Sequence, residues 1–191
     1  LRDANVEAVV ETLIHRTISF ECPIATTSDA DISWTKDDVP LFPGLDDHIQ
    51  ILNAGRQLVI SGVQRYDQAI YTCVARNKAG EAYKNYKLVV LVPPAIVGTG
   101  GQFKVIENNS LILPCEVEGQ PFPAITWTKD GKPALQLRSV QALSEGQQLK
   151  IVSAARQHRG SYMCSAENKV GKAEITFDVD VISKFQRMCF I

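Results

Sequence analysis

The stretch Asp67-Gln68-Ala69-Ile70-Tyr71-Thr72-Cys73 decides how this chain is read. It reads as one β-strand carrying two fixed points, a tyrosine and a cysteine two residues later. Side chains alternate faces along a strand, so Tyr71 and Cys73 lie on the same side. Upstream stands Cys22, and Trp34 follows it by 12 residues. The set then recurs as Cys115, Trp127, Tyr162 and Cys164. Cys22 to Cys115 and Trp34 to Trp127 are both 93 residues apart; Tyr71 to Tyr162 and Cys73 to Cys164 are both 91. A self-repeat at this period means two copies of one domain. The expected divisions are residues 1–92, residues 93–184 and a C-terminal tail, 185–191.

Working outward, each copy alternates in short runs. In Arg16-Thr17-Ile18-Ser19-Phe20-Glu21-Cys22, Ile18, Phe20 and Cys22 face in and Thr17, Ser19 and Glu21 face water. Before it, Val6, Val9, Val10, Leu13 and Ile14 suggest an edge strand. Pro23 ends the cysteine strand, and Thr26-Thr27-Ser28-Asp29 is a polar loop. Ile32 and Trp34 point inward on the next strand. Lys36-Asp37-Asp38 turns the chain, and Pro40 and Pro43-Gly44 keep the following segment from a central position. Ile49 and Ile51 mark a strand, Asn53-Ala54-Gly55 a turn, and Leu58-Val59-Ile60 a strand. Asn77-Lys78-Ala79-Gly80 is a hairpin turn in which Gly80 supplies positive φ. The last strand of the first copy is expected to end at Val92, and Val92-Pro93-Pro94 is the boundary. With so little linker and two prolines, the spacing predicts a stiff rod.

The second copy repeats this more cleanly. Ser110-Leu111-Ile112-Leu113-Pro114-Cys115 is its cysteine strand, Gly119-Gln120-Pro121-Phe122-Pro123 a loop, and Ile125-Thr126-Trp127-Thr128-Lys129 its tryptophan strand. Asp130-Gly131 closes a tight turn. Leu149-Lys150-Ile151 echoes Leu58-Val59-Ile60, and Ala173, Ile175, Phe177, Val179 and Val181 alternate inward. Seven or eight short strands per copy with no convincing helix give an all-β fold, two tandem β-sandwiches.

Composition excludes several classes. Charged residues are 21 % and the formal net charge is −1, so nothing points to nucleic acid or an acidic membrane surface. The longest apolar run, Leu88 to Val92, is far short of the roughly 18 residues that span a bilayer. The chain starts at Leu1 without a basic-then-apolar leader, and reads as a piece of a longer protein or a processed product. Four of the five cysteines fall into the repeat, without Cys-x-x-Cys spacing. Within each copy they lie about 50 residues apart on apolar strands. A buried disulfide is the natural reading, and reduced thiols packed in an intracellular core are the alternative.

Cysteine, tryptophan at +12, a Leu-x-Ile strand, Tyr-x-Cys and an Asn-x-x-Gly turn together resemble the immunoglobulin fold of the intermediate set, twice over nearly the whole chain. That resemblance implies Greek-key sandwiches with inter-sheet disulfides Cys22–Cys73 and Cys115–Cys164, and Trp34 and Trp127 packed on them. It implies tyrosine corners at Tyr71 and Tyr162, hydroxyls bonded to upstream backbone. The family usually carries Asp four residues before the tyrosine. Asp67 fits, but His158 stands there in the second copy, which puts charge pairing at that site in doubt. Val92-Pro93-Pro94-Ala95-Ile96, Leu113-Pro114-Cys115, Pro121-Phe122-Pro123 and Trp127-Thr128-Lys129-Asp130-Gly131 resemble the hemicentin-like immunoglobulin arrays of extracellular matrix. The same phrases occur in neural adhesion receptors and in muscle giant proteins.

No nucleophile elbow, phosphate-binding glycine loop or His-Glu-x-x-His occurs, so no catalytic residue, metal ligand or cofactor is assigned. His15, His48 and His158 are read as surface or turn residues. Asp37-Asp38 and Asp46-Asp47 lack the alternating oxygen spacing of a calcium loop and read as solvated turns. Asn108-Asn109-Ser110 is an N-glycosylation sequon. Cys189 has no partner in the repeat. The resemblance implies a non-enzymatic, secreted or cell-surface module for adhesion and basement-membrane organisation. Its expected partners are other proteins, including homophilic or other immunoglobulin-domain partners, with no nucleic acid, no small-molecule substrate and no membrane insertion by this segment. The alternatives are an intracellular muscle scaffold of the titin and twitchin type, or part of a neuronal receptor for axon guidance or dendrite self-avoidance. An enzymatic domain elsewhere in a parent chain would be compatible with either.

Overall fold

The computed structural model describes residues 7–23, 30–44 and 47–183. It divides into two compact units, Leu1–Leu91 and Val92–Ile191. Each is a sandwich of two β-sheets, because strands that are apolar on one face bury that face against a second sheet.

The first unit contains β1 (Ala8–Leu13), β2 (Ile18–Glu21), β3 (Asp31–Lys36), β4 (Val39–Leu41), β5 (Ile49–Leu52), β6 (Gln57–Ile60), β7 (Ile70–Asn77) and the start of β8 (Gly80–Val97). One sheet runs β1-β8-β7-β3-β4 and the other β2-β6-β5. Pairing is antiparallel except that β1 lies parallel to β8, Ala8 opposite Tyr86 through Leu13 opposite Leu91. Pro40 sits in the edge strand β4, where a missing N–H costs no ladder bond. Trp34, Leu58, Ile60, Val63, Tyr71, Leu88 and Val90 are fully buried between the sheets.

The second unit contains β9 (Gly101–Ile106), β10 (Leu111–Pro114), β11 (Glu116–Gln120), β12 (Ala124–Lys129), β13 (Lys132–Pro133), β14 (Val140–Leu143), β15 (Gln148–Ile151), β16 (Gly160–Asn168) and β17 (Gly171–Ile182). Its sheets run β13-β12-β16-β17-β9 and β10-β15-β14. Again the first strand of the large sheet, β9, pairs in parallel with the last, β17. The core holds Leu113, Leu149, Ile151, Tyr162, Phe177 and Trp127. Ala173, Ile175, Phe177, Val179 and Val181 alternate inward along β17 as the sequence pattern requires.

Four expectations need correction. The strand expected across Asp67–Cys73 begins only at Ile70; Arg65–Asp67 forms a single 3-10 turn, capped by the Asp67 carboxylate on the Gln64 N–H. The strand expected to stop at Val92 continues to Val97, because proline dihedrals suit extended chain and residues 92–97 pair with β11 in the second unit. By the same pairing, Gly119 and Gln120 belong to a strand, and the loop starts at Pro121. His158 is not a surface residue: it is 1 % exposed. Val6, the Thr26–Asp29 loop, Asp46 and Cys189 lie outside the described residues.

Candidate functional site

In each unit a disulfide, a tryptophan and a tyrosine form one constellation joining the sheets. Cys22 follows β2 in one sheet and bonds to Cys73 of β7 in the other, with Cα atoms 5.8 Å apart. Cys115 and Cys164 do the same at 6.5 Å. Each bond closes a loop of about 50 residues, on the order of 4 kcal/mol in the chain-entropy account. Trp34 is opposite Cys73 in the β3–β7 register, and Trp127 opposite Cys164 in β12–β16. Both indoles donate their N–H to a glycine carbonyl at 2.7 Å, Trp34 to Gly55 and Trp127 to Gly146. The sequence reading placed Gly55 in a turn without this role and did not single out Gly146. Gly55 has φ +85° and Gly146 φ +92°, and a Cβ on either would press on Ile32 or Ile125. The available signal was a glycine three residues before each Leu-x-Ile.

The tyrosine corners are equally matched. The Tyr71 hydroxyl donates to the Asp67 carbonyl at 2.9 Å, and Tyr162 to the His158 carbonyl at 3.0 Å. Burial pushes both phenols well above their ordinary range, helped by the nearby carboxylates Asp67 and Asp37 for Tyr71 and Asp130 for Tyr162. Under the first corner lies a buried charge. Asp67 is 0 % exposed. Its Oδ2 accepts the Gln64 N–H at 2.7 Å and faces His48 Nε2 at 2.7 Å, while Lys36 Nζ stands 3.7 Å from Oδ1. Lys36 also donates to the Tyr66 carbonyl and lies over the Tyr66 and Tyr71 rings. His48, read from sequence as a turn residue, is thus tied to a buried carboxylate. His15 is exposed, with its Nδ1 3.1 Å from Gln64 Nε2.

The acidic turns also acquire roles. Asp37 is at φ 47° and accepts the Ile70 N–H at 2.8 Å; Asp130, at φ 49°, accepts the Ser161 N–H at 2.9 Å. These bonds lock each tryptophan strand to its neighbouring cysteine strand. Among the described residues no group of three or more His, Cys, Asp or Glu side chains is placed to hold a metal ion. No helix there is long and apolar enough to cross a membrane. The polar groups of these two constellations serve caps, hairpins and sheet junctions.

On the outside, both units expose large apolar residues, among them Val39, Phe42, Tyr66 and Tyr83 in the first and Val97, Phe122 and Leu135 in the second. A groove of about 660 Å³ runs beside β3 and β4, walled by Ile32, Pro40, Leu41, Phe42 and Ile51. Asn108 is exposed, in the turn between β9 and β10.

A paired β-sandwich with inter-sheet disulfides, buried tryptophans and tyrosine corners defines an immunoglobulin-type module. The immunoglobulin I-set domain profile matches residues 5–90 and 94–181, and the chain belongs to that family. Domains of this family normally serve as structural or adhesion modules through protein–protein contact. Hemicentin-1 of Homo sapiens is 36 % identical over 179 residues, covering 93 % of this chain and 3 % of that protein. The chain therefore spans a small part of the curated relatives it matches. The N-terminal four immunoglobulin domains of Dscam1 (isoform 6.9) superpose with a TM-score of 0.78 at 19 % identity, over 95 % of this chain and 45 % of that one. Titin A168169 gives 0.68 at 21 % identity, over 93 % and 97 %. The two structural likenesses speak for the fold.

Proposed function

We propose that this chain is a non-enzymatic extracellular binding module, a segment of an immunoglobulin array that serves cell adhesion and organises extracellular matrix of the basement-membrane kind. Its partners are other proteins, with a second immunoglobulin-domain chain the leading class. Contact is made through strand edges and sheet faces, the surfaces a sandwich leaves open. The observation that carries the reading is the buried disulfide in both units. Such bonds persist in oxidising compartments and are rare in the cytosol. The 36 % identity to hemicentin-1 across nearly the whole chain supports the same assignment.

Thiol counting by mass spectrometry on protein from its natural source tests it. Cys22–Cys73 and Cys115–Cys164 recovered as bonded peptides support the extracellular reading. Free thiols at all four positions overturn it in favour of an intracellular load-bearing scaffold. Sedimentation equilibrium of the purified chain then tests the homophilic form: a concentration-dependent dimer supports it, and a strict monomer moves the search to other proteins.

A further inference from the structure

We propose that Asn108 carries an N-linked glycan that covers one end of the second unit. The inference rests on the extracellular reading above. Asn108-Asn109-Ser110 is the one Asn-x-Ser/Thr triplet in the chain. A sequon becomes a glycan site only where the fold leaves room for the sugar, and here the fold does. Asn108, Asn109 and Ser110 are all exposed. Their backbone is fixed from two sides: the Asn108 N–H donates to the Ala154 carbonyl at 2.8 Å, the Ala154 N–H to the Asn109 carbonyl at 2.9 Å, and the Asn109 N–H to Ile106 at 3.0 Å. The Asn108 side chain, by contrast, makes no hydrogen bond among the described residues. Asn77 and Asn168 spend theirs on hairpin turns. Asn108 also has φ 71°, a left-handed position that asparagine tolerates better than most residues. A rigid turn thus presents an uncommitted amide to solvent.

Its place in the sandwich gives the glycan a consequence. Glu107, the preceding residue, donates its N–H to Ile182, where β17 ends. The hairpin Asn168–Gly171 lies at the opposite end of the same strand. A glycan on Asn108 therefore shields the loops around Glu107 and Ala154, at the end of the unit away from that hairpin.

The test is peptide mass spectrometry on the native protein after enzymatic deglycosylation in ¹⁸O water, with the disulfide peptides read from the same digest. Labelled conversion of Asn108 to aspartate alongside intact disulfides supports the proposal. Intact disulfides with unmodified Asn108 overturn the glycan and leave the extracellular reading standing. Reduced cysteines with unmodified Asn108 overturn both. In parallel, the chain secreted from mammalian cells should lose its glycan mass with Ser110→Ala, which keeps Asn108 and its turn in place. An unchanged mass in that variant overturns the assignment.

Discussion

The two units solve one problem with opposite chemistry. Four residues before the corner tyrosine, a buried polar side chain must cap a 3-10 turn. Asp67 accepts the Gln64 N–H, and His158 Nδ1 accepts the Ala155 N–H at 2.9 Å. The second contact differs. The Asp67 carboxylate draws in two basic side chains, His48 and Lys36. His158 has its Nε2 2.9 Å from the Arg138 carbonyl. With Nδ1 accepting, the ring must donate from Nε2, so the second corner is built for a neutral tautomer and needs no counter-charge. The family's aspartate is thus replaceable, provided the group across from it changes from a donor to an acceptor. One cost of the charged version is visible: among the described residues Asp67 Oδ1 is buried with no hydrogen bond, and the Lys36 ammonium 3.7 Å away offsets it.

Exchanging the two residues should break this pairing most severely. His158→Asp sets a buried carboxylate against the Arg138 carbonyl while Lys129, the counterpart of Lys36 over the Tyr162 ring, is held by Asp130, and is expected to cost about 3–5 kcal/mol. Hydrogen exchange should show lost protection in peptides from 92–183 while the first unit stays protected. A loss below about 1 kcal/mol would mean the second corner can recruit a counter-ion, and the complementarity argument fails. Asp67→His is the milder exchange. It aims a ring donor at His48 and Lys36, which are already donors, and an unmatched buried group costs about 1–3 kcal/mol. Here the lost protection should fall in residues 7–91. Equal destabilisation by Asp67→Asn would show that shape, not donor–acceptor matching, rules the corner.

The two corners also mark where sequence reading succeeds and stops. Cys22, Trp34, Tyr71 and Cys73 were legible because their spacing repeats in the second copy, and because alternation places Tyr71 and Cys73 on one face. His158 was misread because a polar residue between Gln157 and Arg159 looks solvated. Its burial depends on a carbonyl 20 residues away. The end of the strand Glu116–Gln120 reads as a loop for a similar reason: Gly119 and Pro121 punctuate like one, and the pairing with residues 92–97 makes it a strand. Single turns such as Arg65–Asp67 leave no periodic trace at all.

A finer comparison concerns the glycines under the tryptophans. Both need positive φ, so alanine at either is strained by about 1–3 kcal/mol. The space differs. A Cβ on Gly55 would sit 2.9 Å from Ile32 Cβ, and one on Gly146 3.2 Å from Ile125 Cβ. Gly55→Ala is therefore expected toward the upper end of that range and Gly146→Ala toward the lower, in denaturant melts followed by tryptophan fluorescence. The reverse order would show that the Ile32 side chain yields more easily than its packing suggests.

The smallest expected difference lies in the hairpin aspartates, which share one backbone bond and differ in their neighbour. Asp130 has Lys129 Nζ against its Oδ2, and this ammonium, then the Ser161 N–H, holds its carboxyl below the usual carboxylate range. A carboxylate whose folded pKa is depressed contributes stability that is present above its unfolded value and lost as pH falls through the folded one. Asp130→Asn should therefore weaken the second unit slightly at neutral pH, by less than about 1 kcal/mol because the group is exposed. The difference from the parent should vanish on acidification below the ordinary carboxylate range, and shrink in high salt at any pH. Lys129→Met should remove most of the salt sensitivity while leaving the Ser161 bond intact. If Asp130→Asn instead costs the same at acid and neutral pH, the hairpin is held by the shape of its turn, and the aspartate's charge is incidental there.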